Sequence, residues 1–134
     1  MSVTVQPFLM FEGKAEEAMR AWVALVPGSE ILHLERYGPE VPGKEGTIKR
    51  GACSIAGQVV QVTDSPIAHG FTFTPSFSFF VDCESEAQQD ALFAALGEGG
   101  GVMMPLDNYG FSRRFGWLAD RFGVSWQLNL AADA

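Results

Sequence analysis

The feature that most constrains this chain is an internal echo. Gly57-Gln-Val-Val-Gln61 is answered by Gly123-Val-Ser-Trp-Gln127, 66 residues further on. A shift of 70 residues lays Gln6 on Ser76, Phe11 on Val81 and the first predicted helix on the second. Both offsets keep the order of elements, and both glycines fall at predicted turns, so a repeated supersecondary unit is expected. The drop from 70 to 66 requires only a shorter connection in the second copy.

The local patterns say what that unit is. Val3–Phe11 is rich in strand formers, and Pro7 cannot donate to a ladder, so this strand belongs at an edge or carries a bulge. From Lys14 to Val26, residues Ala15, Ala18, Met19, Trp22 and Val26 share one helical face, and Pro27-Gly28 ends the helix. Glu30–Tyr37 reads as a strand, Gly38–Gly46 as a loop, and Thr47–Ala56 with Gln58–Thr63 as a hairpin. Asp64–Thr74 is a second loop, carrying His69. In the second half, Phe77–Val81 is an apolar strand, expected to be buried on both faces or to face a pocket. Ser85 and Gln88 have capping-box spacing ahead of a helix to Leu96, and Gly97–Gly101 stops it. Val102–Leu106 is a short strand, and Ser112–Ala119 with Val124–Leu130 forms a closing hairpin. The order is β-α-β-β-β, twice. The expected fold is α+β: one domain over residues 1–134, built from tandem βαβββ modules at about 2–64 and 74–130 that form a curved mixed sheet.

Composition narrows the function classes. Nine basic residues against 16 acidic give a net charge of −7, which repels phosphate backbones, so no nucleic-acid partner is expected. The basic pairs Lys49-Arg50 and Arg113-Arg114 read as solvated strand ends. No apolar run is long enough to span a bilayer, and Met1–Phe11 has no leader pattern. A cytoplasmic protein without a membrane partner is the expectation. Cys53 and Cys83 lack metal-ligand spacing and a neighbouring histidine, and read as free buried thiols.

Three segments carry a family resemblance across nearly the whole chain. They are Gln6-Pro-Phe-Leu-Met-Phe-Glu-Gly-Lys-Ala-Glu-Glu-Ala-Met, Phe73-Thr-Pro-Ser-Phe-Ser-Phe-Phe-Val, and Phe115-Gly-Trp-Leu-Ala-Asp-Arg-Phe-Gly-Val-Ser-Trp-Gln. The chain resembles the PhnB-like branch, often labelled demethylubiquinone methyltransferase-like, of the glyoxalase/bleomycin-resistance/dioxygenase (vicinal oxygen chelate) superfamily. The resemblance implies two βαβββ modules cupping a ligand, and a homodimer. It does not name a reaction, because this fold hosts isomerases, dioxygenases, thiol transferases and binding proteins.

Metal-dependent relatives hold a divalent ion on the first and last strands of each module. By strand position the resemblance assigns those places to Gln6, Gln61, Ser76 and Gln127. Alternation supports inward projection at Gln61 and at Gln127, because Val60 and Val62, and Trp126 and Leu128, flank each on the opposite face of its strand. A transition ion prefers imidazole, thiolate or carboxylate, and this set is neutral, so no metal and no other cofactor is expected. Asp64 or His69 entering from the loop would rescue one ligand at most. Two readings stay open for the amides. They satisfy one another and the backbone, or they hydrogen-bond a small-molecule ligand whose body packs on aromatic residues. Phe8, Trp117 and Trp126 are the candidate aromatics, and His69 the one plausible proton-transfer group. The leading expectation is a small-molecule binder. The alternatives are a metal-dependent lyase, isomerase or dioxygenase, a methyltransferase, or a structural dimer without a pocket. No glycine-rich strand-to-helix turn of the kind that commonly holds S-adenosylmethionine is present.

Overall fold

The computed structural model describes residues 2–133. Its elements are β1 (Phe8–Phe11), α1 (Ala15–Leu25), β2 (Glu30–Arg36), β3 (Ile48–Ile55), β4 (Gln58–Asp64), β5 (Ser78–Cys83), α2 (Glu86–Gly97), β6 (Gly101–Asp107), β7 (Arg114–Ala119) and β8 (Ser125–Leu130). The βαβββ order therefore occurs twice. The pairings resolve into two four-stranded mixed sheets, ordered β1-β4-β3-β2 and β5-β8-β7-β6. The chain divides between Gly70 and Phe71 into two compact units, each with one sheet and one helix.

The two units solve the same packing problem with matching positions. In the first, Ala15, Ala18, Met19 and Trp22 of α1 are buried; in the second, Gln89, Leu92, Phe93 and Leu96 of α2 take those places. Val60 and Val62 of β4, and Trp126 and Leu128 of β8, are fully buried on the helix-covered faces. A glycine lies under each helix. A Cβ on Gly51 would stand 2.9 Å from Met19 Cε, and one on Gly116 would stand 2.9 Å from Phe93 Cε2 and 2.7 Å from Leu106 Cδ2. Each sheet has an edge strand that pairs in parallel with the last strand of its unit, β1 with β4 and β5 with β8.

Register corrects the repeat alignment. Phe8 lies opposite Gln61 and Phe80 lies opposite Gln127, so the first strands correspond at an offset of 72, not 70. Ser78, not Ser76, is the counterpart of Gln6. The apolar run at Phe77–Val81 hid the slip, since its phase is ambiguous without a partner strand. Nor is that strand buried on both faces: Phe77 and Phe80 are exposed. The first strand is shorter than expected, because ladder pairing begins after Pro7, whose carbonyl still accepts from Gln61 N–H at 2.9 Å.

Two buried carboxylates organise the connections. Asp64 ends β4 and does not open the loop. Its Oδ1 accepts from Gly13 N–H at 2.8 Å and Ala15 N–H at 3.0 Å, and its Oδ2 from Ile48 N–H at 2.8 Å. It thus caps α1 from across the unit, where Lys14 supplies no side-chain cap. Asp120 holds the β7–β8 turn through Phe122 and Val124 N–H, both at 3.0 Å, and accepts from Trp126 Nε1–H at 2.9 Å. The Asp-x-Phe-Gly-Val-x-Trp segment is therefore a folding motif, with Gly123 at a φ of 88° in its turn. Half of the expected capping box is present on α2: Gln88 N–H donates to Ser85 Oγ at 3.1 Å, whereas Gln88 Oε1 reaches past the N-cap and accepts from Glu84 N–H at 2.9 Å.

The paired glycines give a comparison. Below 3.0 Å a Cβ at Gly116 meets a ring and a leucine methyl group, whereas one at Gly51 meets only the flexible methionine end, with Val62 Cγ2 at 3.0 Å and Ile48 Cγ2 at 3.1 Å next. Gly116→Ala should cost about 1–3 kcal/mol of unfolding free energy, as overpacking does, and Gly51→Ala should cost less. Urea unfolding of both variants checks the order.

Candidate functional site

Alternation along each sheet puts the candidate polar residues on the face away from the helix. In the first unit, Gln61 Nε2–H donates to Gln6 Oε1 at 2.8 Å. Phe8, opposite Gln61 on β1, is 58% exposed. The Arg50 guanidinium of β3 lies over the Phe8 ring, 5.1 Å from its centroid. In the second unit, Gln127 Nε2–H donates to Ser78 Oγ at 3.1 Å. Ser78 Oγ lies 2.6 Å from Ser125 Oγ, which accepts from Trp117 Nε1–H at 2.7 Å. Phe80, opposite Gln127, is 57% exposed and matches Phe8 in its strand. Each unit thus carries one amide-containing pair beside one exposed phenylalanine.

Several expected site residues stand elsewhere. Ser76 is exposed and pairs with Thr74 Oγ1 at 2.6 Å, two residues before β5 begins, so it does not meet Gln127. Trp126 is fully buried on the helix side of β8, with its indole N–H on Asp120 and its ring 4.8 Å from that of Phe79. It is core, because its parity along the strand is opposite to that of Gln127. His69 lies beyond the end of β4. Its Nε2 is 2.7 Å from Ser65 Oγ and its N–H donates to Glu12 at 3.2 Å. Ser65 in turn donates its N–H to Phe11 O, at the far end of β1 from Gln6. Trp117 does share the Gln127 face, and its N–H is committed to Ser125. Ser78, Ser125, Phe80 and Arg50 were not singled out from the sequence. The 72-residue offset would have found the first and third, whereas Arg50 was read as a solvated strand end.

The donor set does not fit a divalent transition ion. Its members are amides and hydroxyls, Gln6 Oε1 already accepts from Gln61, and Ser78 Oγ already accepts from Gln127. Among the described residues no group of three or more His, Cys, Asp or Glu side chains is arranged to hold a metal. Asp64 cannot complete a site, since its carboxylate holds three backbone N–H groups on the opposite side of β4 from Gln61. Nor do the helix N-termini offer an anion site: Asp64 occupies that of α1 and Ser85 caps that of α2. No described helix is long and apolar enough to cross a membrane.

The sequence matches the family described as 3-demethylubiquinone-9 3-methyltransferase over residues 3–129. The chain belongs to this PhnB-like family. It is 48% identical to a PhnB protein from Bacillus cereus that carries the same methyltransferase description, over 96% of this chain and 100% of that one, with a TM-score of 0.92. It is 28% identical to protein PA1353 from Pseudomonas aeruginosa, over 97% and 98% of the two chains, with a TM-score of 0.84. The fosfomycin resistance protein FosX from Listeria monocytogenes, at 13% identity over 98% and 94% and a TM-score of 0.58, shares the fold. No curated protein matches. The PhnB-like family expected from the sequence is thus established, and the α+β fold is the one seen in glyoxalase/bleomycin-resistance/dioxygenase proteins.

The cysteines of this PhnB-like chain are poor nucleophiles. Burial pushes the Cys53 thiol up to about 11, and burial followed by the neighbouring Asp82 charge does the same to Cys83. Against an ordinary value of 9.0, that leaves about one-hundredth of the usual thiolate at neutral pH. Iodoacetamide at pH 8 should alkylate both thiols at least about 100-fold more slowly in the native protein than in urea. Mass spectrometry of timed aliquots measures this.

Proposed function

We propose that this PhnB-like protein binds a small, partly apolar organic molecule on the helix-free face of its sheets, without a catalytic metal. The observation that carries the reading is the placement of an amide pair with spare hydrogen-bonding capacity beside an exposed aromatic ring. Among the described residues, Gln6 and Gln61 use one donor and one acceptor on each other. This leaves N–H groups on both residues and the Gln61 carbonyl oxygen for a ligand. Gln127 likewise keeps its carbonyl oxygen. Phe8 and Phe80 supply apolar surface next to these groups. A few placed polar groups on an apolar wall are what orient a small ligand.

The family description favours a second reading, methyl transfer from S-adenosylmethionine. Against it stands the occupation of both helix N-termini by the chain's own side chains, which removes the usual seat for a donor's carboxylate.

One experiment separates the two. Protein purified without added ligand is denatured, and the released small molecules are identified by mass spectrometry. Calorimetry with S-adenosylmethionine is run in parallel on the folded protein. The expected result is an organic molecule released from the parent chain and depleted several-fold from Gln61→Ala or Gln127→Ala, with no heat of donor binding. Saturable donor binding that survives both substitutions would contradict the reading.

A further inference from the structure

Comparing the two units position by position isolates one charged group. Ala52 of β3 pairs with Gln61, and Trp117 of β7 pairs with Gln127. Two residues earlier on each strand, and so on the same helix-free face, stand Arg50 and Phe115. Phe115 is buried, in edge-to-face contact with Phe111 at 4.9 Å and with Tyr109 at 6.3 Å. The second unit has closed this position with aromatic rings. The first has placed an exposed guanidinium there and laid it across β4 onto Phe8, two strands away.

The chemistry of that contact is asymmetric. The Phe8 ring attracts the charge of the guanidinium, whose Cζ lies 5.1 Å from the ring centroid, but it accepts none of the N–H donors as a carboxylate would. Among the described residues, no hydrogen bond or ion pair satisfies those donors. Glu35 is the Arg50 partner in register on β2, but its carboxylate oxygens lie 4.0 Å from His33 Nε2 and 4.0 Å from Lys49 Nζ. The ring therefore favours this placement of the guanidinium and leaves its hydrogen-bonding edge unused. A carboxylate matches that edge with two parallel hydrogen bonds. The adjacent Phe8 and the Gln6–Gln61 amides suit a flat body carrying polar substituents.

We infer that the helix-free face of the first unit selects a small planar organic carboxylate, with Arg50 as the residue that recognises the acid group. This rests on the binding reading above and narrows it to an anionic class. The net charge of −7 makes the specificity local, since the chain as a whole repels anions.

The test uses the full chain and two isosteric probes, 2-naphthoate and the uncharged 2-naphthamide. Titrations are followed by the backbone amide resonances of Phe8, Ala52 and Gln61. 2-Naphthoate should shift these resonances saturably and bind about tenfold or more tightly than the amide, as a charge-assisted hydrogen bond requires. Arg50→Gln should abolish that preference while leaving the thermal midpoint unchanged. Equal affinity for the two probes, or a preference that survives Arg50→Gln, would overturn the anionic assignment and leave the binding reading standing. Absence of any saturable shift with either probe would overturn both.

Discussion

The arrangement of the first unit depends on one buried carboxylate. Asp64 binds the start of α1, the start of β3 and, through its own backbone, the end of β4. A buried carboxylate without donors would be costly, and this one has three. Its position also sets strand parity. With Asp64 turned toward the helix, Val62 and Val60 follow it inward, and Gln61 is left on the other face. The placement of the candidate site is thus a consequence of how the helix is capped.

The second unit reaches the same geometry by other means. Ser85 caps its own helix, and the carboxylate has moved to the turn, where Asp120 binds two backbone N–H groups and the Trp126 indole. The fully buried Gln89 stands where Ala15 does and donates to the carbonyls of Arg114 and Leu128, both at 3.1 Å. Parity again follows: Trp126 and Leu128 turn inward and Gln127 outward. Two units of one repeated pattern thus hold their helices with different side chains and still present an amide at the matching strand position.

Much of this was legible in the sequence, and the failures have physical causes. The repeat, the element order, the Ser85 cap and the matching strand parity of Gln61 and Gln127 within their own units rest on short-range patterns, and such patterns survive in a single sequence. The 70-residue offset points to Ser76 where register points to Ser78, because an apolar run with two serines has no phase until its partner strand is known. Trp126 was drawn to the site by its residue type, although its parity already placed it with Val60 and Val62. Asp64, at the edge of a predicted loop, looked available, because a cap supplied from 49 residues away leaves no local trace. Arg50 leaves no such trace, because a basic pair at a strand end is usually solvated, and only the Phe8 ring two strands away marks it out.

The helix-free faces carry the hydrogen-bonding pairs Gln6–Gln61 and Ser78–Gln127, whose neutral donors are a poor match for a divalent ion. The most direct measurement is elemental analysis of divalent ions in protein purified without chelator, repeated for Gln61→Ala and Gln127→Ala. The account predicts bound metal well below one ion per chain, unchanged by either substitution. One tightly held ion per chain, lost on both substitutions, would contradict it.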